Sequence, residues 1–120
     1  MKITKTEIEA RFKTYNKLYF ENKLPQCKLS FSLNRDRWGF YTFTKNGGGH
    51  IYLAKKVYWT DESLKLILIH EMVHHYVHSI IKPKIFTFPH GRYFKKIANE
   101  LYKKHKINVK LNCLPKTLFY

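Results

Sequence analysis

Residues 70 to 74 of this chain read His70-Glu71-Met72-Val73-His74, an H-E-x-x-H sequence. Residues four apart on an α-helix are one turn apart and point the same way, so on a helix His70 and His74 aim two imidazoles at one point. That is the bite of a metal site, and a pair of imidazole nitrogens suits zinc. Glu71 lies about 100° round the helix from His70 and about 60° from His74, close enough to reach a water at the same point without being a ligand. The chemistry implied is metal-assisted hydrolysis, of peptide bonds above all, with Glu71 as the base.

A catalytic zinc takes three groups from the protein and keeps the fourth position for water, so a third ligand is required. The remaining histidines are His50, His75, His78, His90 and His105. His90 is favoured, because it stands four residues before Phe94, at the head of a face that continues through Ile97, Ala98 and Leu101 at helical spacing. Pro89 and Gly91 flank it and shape the entry of the chain into that helix. His78, one turn beyond His74, is the runner-up and could instead face a substrate. His75 points about 100° away from His74. His50 and His105 read as surface or packing residues.

The elements that must position these groups can be read from periodicity. The motif lies in the segment Asp61 to Ser79, where Leu64, Leu66, Ile67, Leu68, Ile69, Val73, Tyr76 and Val77 spread round most of a helix, which predicts burial on more than one side. Thr60 and Asp61 cap it. Upstream, Thr4 with Glu7, or Thr6 with Glu9, starts a first helix whose core face is Ile8, Phe12, Tyr15 and Tyr19, ended by Leu24-Pro25. The period then changes to two. Leu29, Phe31 and Leu33 alternate with Lys28, Ser30 and Ser32 as a half-buried strand, and Gly39 to Thr44 and His50 to Ala54 are two more, joined through Lys45-Asn46-Gly47-Gly48-Gly49. The third helix runs from about His90 to Lys104, after a crossover from Ile80 to Pro89 that must return His90 to the metal. The fold class expected is α+β: an N-terminal helix, a three-stranded, mainly antiparallel sheet, the motif helix and a C-terminal helix.

These residues together resemble the SprT-like metalloprotease domains, the fold shared with the DNA-dependent protease Spartan. The resemblance rests on Tyr15-Asn16, Tyr19-Phe20 and Lys23-Leu24-Pro25, on Gly39 and the strand Ile51-Tyr52-Leu53, on the H-E-x-x-H motif, and on His90-Gly91-Arg92-Tyr93-Phe94. It covers nearly the whole chain, and the combination is far more specific than any one piece. It implies a minimal zincin-like domain with His70, His74 and His90 as zinc ligands and Glu71 as catalytic base. Members of the family often continue into a cysteine zinc ribbon; Cys27 and Cys113 are isolated, so the expectation is one domain over residues 1–120 without a ribbon.

Composition bounds the rest. The chain has 120 residues, 44% of them apolar and 17% aromatic, enough for one core. No apolar run is long enough for a membrane span, the start carries no secretory pattern, and two distant cysteines exclude a disulfide scaffold. A cytoplasmic protein is expected, associated with the nucleoid if bacterial. Twenty-three Lys and Arg against eight Asp and Glu leave a net charge of +15. Such an excess draws a domain to polyanions, nucleic acid being the commonest. The cations crowd the last third, where Arg92, Lys95, Lys96, Lys103 and Lys104 are the candidate nucleic-acid contacts; no base-reading motif is visible, so binding is expected to be non-specific and electrostatic. Trp38, Phe40, Tyr41 and Phe43 could offer stacking surfaces, although strand aromatics are more often core.

Two functions follow. One is a zinc endopeptidase acting on DNA-bound or DNA-crosslinked proteins; the other is a non-enzymatic, nucleic-acid-associated regulatory module with a structural zinc. A carboxylate aimed at the open metal position favours the first. For an endopeptidase, a sheet edge beside the motif helix would hold the substrate backbone, and His50 to Ala54 is either that edge or an interior strand with both sides occupied. Tyr76, His78, Arg92 and Tyr93 are the candidates for stabilising the oxyanion.

Overall fold

Thr4 starts the first helix: its hydroxyl accepts a hydrogen bond from the Glu7 amide at 3.2 Å, so of the two possible caps the earlier one is used. The computed structural model describes residues 2–33, 37–44, 48–84 and 88–109. In it α1 spans Lys5–Tyr19 and buries Ile8, Phe12 and Tyr15. Glu21 and Asn22 then take left-handed backbone angles and turn the chain. Asn16 fastens the turn from both sides, its amide nitrogen donating to the Leu24 carbonyl and its amide oxygen accepting from the Leu24 N–H, each at 3.1 Å. The Asn and the Leu-Pro of the opening pattern are thus two halves of one clamp.

The strands are β1 (Lys28–Ser32), β2 (Gly39–Phe43) and β3 (Gly49–Ala54), in the order β1-β3-β2. β2 and β3 pair antiparallel, with Tyr41 opposite Ile51, while β1 and β3 pair parallel, with Leu29 opposite Ile51. The expected mainly antiparallel sheet is therefore corrected to a mixed one. The chain reverses between β1 and β2 and again between β2 and β3, so β3 runs in the direction of β1 and, inserted between the two, meets one strand in each sense. β3 takes the centre because it is the most apolar strand: Ile51, Leu53 and Ala54 are buried. Of the two alternatives left open for it, interior strand or edge, the interior one holds. Leu33, expected on the buried side of β1, lies past the end of that strand and is 69% exposed.

α2 spans Asp61–Tyr76. Thr60 caps it reciprocally with Ser63: the Thr60 hydroxyl accepts from the Ser63 amide at 3.0 Å, and the Thr60 amide donates to the Ser63 hydroxyl at 2.9 Å. The helix is apolar on most sides, as its sequence predicts, burying Leu64, Ile67, Leu68, Ile69, Met72 and Val73 against the sheet and the other helices. It does not run on as α-helix to Ser79. From Val77 to Ile81 the turn widens to π geometry and closes where Lys82, in a left-handed conformation, donates its N–H to the Val77 carbonyl. α3 spans Arg92–His105, burying Phe94, Ile97, Ala98 and Leu101 as anticipated. It begins two residues later than expected, because Gly91 is extended and its N–H closes a turn onto the Phe88 carbonyl at 2.9 Å. His90 therefore sits in the turn before the helix, not on its face. After Lys106, again left-handed, the chain returns to the core with Ile107 and Val109 buried. Among the described residues no helix is long and apolar enough to cross a membrane.

Candidate metal centre

α2 is the centre of the core, which is why its polar residues are buried: His70 and Glu71 are 3% and 4% exposed, and His75 is fully enclosed. His70 and His74 project from successive turns of α2, and the turn at residues 88–91 brings His90 up to them. The Nε2 atoms of His70 and His74 each lie 3.1 Å from Nε2 of His90. These three residues form the group of potential metal ligands among the described residues, with one donor atom of each within 4.8 Å of the others. His78, the runner-up, is turned away: its ring stacks on Phe43 of β2 at 3.8 Å between centroids.

The protonation pattern fits a cation at this point. Nδ1 of His70 lies 2.7 Å from the carbonyl oxygen of Val109. A carbonyl can only accept, so Nδ1 carries the proton and a neutral His70 presents a bare lone pair at Nε2. His90 Nε2 holds at most one proton and stands 3.1 Å from both this nitrogen and His74 Nε2, so a proton on it can point squarely at only one of them. A shared cation satisfies all three. Burial, aided by the other nitrogens of the cluster, pushes the pKa of His70 down to about 4 and that of His74 to about 3, so both rings are neutral at pH 7 and need release no proton to bind a metal. Phe94 forms the apolar floor of the cluster, its ring centroid 4.8 Å from that of His70, 4.6 Å from His74 and 4.9 Å from His90. Its helical spacing marks Phe94 as core; its role as the floor beneath three histidines needed the tertiary structure.

Glu71 packs under β2. A Cβ built on Gly39 would stand 2.9 Å from Cγ2 of Ile67 and 3.4 Å from Cγ of Glu71, so the missing side chain is what lets β2 cross the helix at this level. Burial raises the Glu71 pKa to about 8, partly opposed by the positive charge of Arg37. A divalent cation beside it would pull that value down.

His75 is the part of the motif helix that sequence reasoning undervalued. Its Nε2 donates to the Pro25 carbonyl at 2.9 Å, which leaves Nδ1 to accept from the Tyr41 hydroxyl at 2.7 Å and from Ser79 at 3.2 Å. One ring thus ties α2 to the clamp after α1 and to β2. Gly49 makes room for this junction: a Cβ there would collide with the Tyr41 hydroxyl and stand 2.6 Å from His75 Nδ1. The adjacency of two histidines, His74-His75, was the available signal.

A model of the SprT-like family matches residues 8–113. The chain belongs to the SprT-like family. No curated protein matches it. Membership supports a metalloprotease-like domain, and the histidines that the family resemblance singled out are the three the fold brings together. The SprT-like chain places the other sequence candidates elsewhere. His50 accepts or donates a hydrogen bond with Ser30 at 2.7 Å and stacks on Tyr52, and His105 meets Tyr19 edge-on, both packing roles. Tyr76 packs on Phe20, and Arg92 donates to the Tyr93 hydroxyl at 3.1 Å. Arg92, Lys95, Lys96, Lys103 and Lys104 are all exposed on α3. Of the strand aromatics, Trp38 is buried edge-on to Trp59, Phe40 stacks on Tyr52, and only Phe43 is largely exposed. Lys110 and Cys113 lie outside the described residues, as do Phe86 in the crossover and Lys45 to Gly47 in the hairpin.

Proposed function

We propose that this protein is a zinc-dependent endopeptidase of zincin-like build, acting on proteins bound or crosslinked to DNA. The observation that carries the reading is the convergence of three neutral imidazole nitrogens beside a buried glutamate. His70, His74 and His90 would hold the metal, and three neutral imidazole nitrogens with a position left for water are a donor set that suits catalytic zinc. Bound there, zinc supplies a Lewis acid and makes water nucleophilic near neutral pH.

The chain's own residues supply the rest. Glu71 takes the proton of the attacking water and returns it to the leaving amine, a task for its carboxylate form, which a cation beside it would favour over the neutral form that burial favours. β2 is the strand that holds substrate: it lies at the edge of the sheet, beside α2, and among the described residues its outer side pairs with no other strand. An extended backbone added there would be bound through main-chain hydrogen bonds, so cleavage depends weakly on sequence. Tyr41, tethered to His75, fixes that edge with respect to His74.

α3 supports the nucleic-acid side of the reading. It starts two residues after His90, and its 14 residues span about 20 Å with Arg92, Lys95, Lys96, Lys103 and Lys104 facing solvent. A polyanion lying along it would hold its bound proteins near the candidate metal site. The test is to incubate zinc-loaded protein with a basic DNA-binding protein, with and without single-stranded DNA, and look for fragments. Cleavage is expected, more with DNA, and Glu71→Gln is expected to keep metal and fold while abolishing it. A Gln variant that cleaves as fast as the parent removes Glu71 from the mechanism.

A further inference from the structure

His70 is held by a part of the chain far from it in sequence. The Val109 carbonyl accepts the Nδ1–H of His70 at 2.7 Å, and this acceptor lies beyond the C-terminus of α3. It is brought there by a defined path: Lys106 takes a left-handed conformation with its N–H on the Tyr102 carbonyl, the chain reverses, and Ile107 and Val109 insert into the core at 6% and 0% exposure. We propose that residues 107–109 form a latch that positions His70 as a metal ligand, the Val109 carbonyl fixing its tautomer and ring orientation, so that docking of this segment and metal binding are coupled.

The physical argument has three steps. A neutral imidazole has one N–H, and the ligand nitrogen must be the other one. His70 is 3% exposed, so water cannot easily replace the carbonyl as partner for Nδ1–H. Without the carbonyl the ring is free to put its proton on Nε2, where it blocks the metal, or to turn the wrong nitrogen inward. Outer partners of this kind are worth about 10–100-fold in metal affinity. Linkage then makes the effect reciprocal: whatever docking of residues 107–109 contributes to metal binding, bound metal contributes to docking. α3 is thereby tied to the metal at both ends, by His90 before it and by Val109 after it, and a partner that lifts the segment following α3 would weaken the metal site without touching a ligand.

This inference rests on His70, His74 and His90 holding a metal, and not on hydrolysis. Two disruptive variants of the 120-residue chain and one conservative control test it by zinc affinity, measured by chelator competition. Ile107→Ser with Val109→Ser removes the apolar anchors and is expected to weaken zinc about 10–100-fold, with the conservative Val109→Ile retaining parental affinity. Replacing Lys110 by its α-hydroxy analogue turns the Val109 carbonyl into an ester carbonyl, a poorer acceptor, with every side chain up to Val109 unchanged; a smaller loss of affinity is expected. Nitrogen-15 spectra of the histidine rings should show His70 protonated at Nδ1 in the parent, with and without zinc, and zinc should slow amide exchange at residues 107–109. Unchanged affinity in both the double Ser variant and the ester, or a zinc form of the parent whose His70 lacks the Nδ1 proton, overturns the latch. A parent that binds no zinc overturns the metal reading and the latch with it.

Discussion

At the scale of single residues the site is a set of buried groups whose ionisation has been moved by their surroundings. His70 and His74 are pushed down to about 4 and 3, chiefly by burial, and Glu71 is pushed up to about 8, also chiefly by burial. The signs decide how the metal-free protein responds to pH. Below about 6.5 the unfolded chain takes protons that the two folded histidines refuse, so stability falls as acid is added. Above about 4.5 the unfolded chain releases the Glu71 proton that the folded carboxyl retains up to about 8, so this residue subtracts stability as pH rises through that window. Thermal melts in chelator from pH 5 to pH 8 should show the second effect in the parent and not in Glu71→Gln. Zinc, which favours the carboxylate, should raise the melting temperature more at pH 8 than at pH 6. A Gln variant with the parent's alkaline slope would remove Glu71 as its source.

At the scale of elements, two glycines set how closely β2, β3 and α2 approach. A methyl group at Gly49 has nowhere to go, because the Tyr41 ring and hydroxyl and His75 Nδ1 already occupy its volume. Gly49→Ala should destabilise the fold by about 1–3 kcal/mol, the range for forcing extra volume into a packed site. It should also break the hydrogen bond from Tyr41 to His75, so Gly49→Ala and Tyr41→Phe should couple: the double variant should lose clearly less stability than the sum of the two single ones. Denaturant unfolding of the four proteins measures this, and strict additivity would mean that the junction carries no shared energy. The same junction holds Tyr41 of β2 against α2 next to His74. Tyr41 on β2 can reach His75 only because β3 presents a glycine at the crossing.

At the scale of the whole molecule the dominant quantity is charge. A net +15 in 120 residues leaves a strong positive field, and the exposed arc of α3 concentrates it next to the candidate metal centre. Nucleic-acid binding should then be independent of sequence and steeply weakened by salt, with a log–log slope near −0.7 per phosphate on single strands and about −0.9 on duplex. Replacing Lys95, Lys96, Lys103 and Lys104 together by Gln should flatten the slope and leave metal content unchanged. Fluorescence anisotropy across a salt series reads both; binding indifferent to salt would make the basic arc a solvated face and leave the substrate to be found through a protein partner.

Wherever local periodicity and residue chemistry suffice, the sequence by itself determined the outcome. The i, i+4 spacing of His70 and His74, the apolar girth of α2 and the core stripe of α3 were legible, because each depends on contacts within a few residues or on a face that one helix must bury; His90 meets the other two histidines from the turn before α3, not from the helix face that its spacing to Phe94 predicts. Sheet order was not legible. Pairing is decided by which strand is apolar enough to lie between two others, and that placed β3 in the middle, made β1 its parallel neighbour and left β2 at the edge. The groups that hold the histidines of α2 in place were hidden for the same reason. Val109 offers a carbonyl that every residue possesses, and Tyr41 a hydroxyl found on nine residues of this chain. Only the long-range fold, which carries residue 109 back to residue 70 and lets two strands close over α2, decides which of many identical groups touches which histidine.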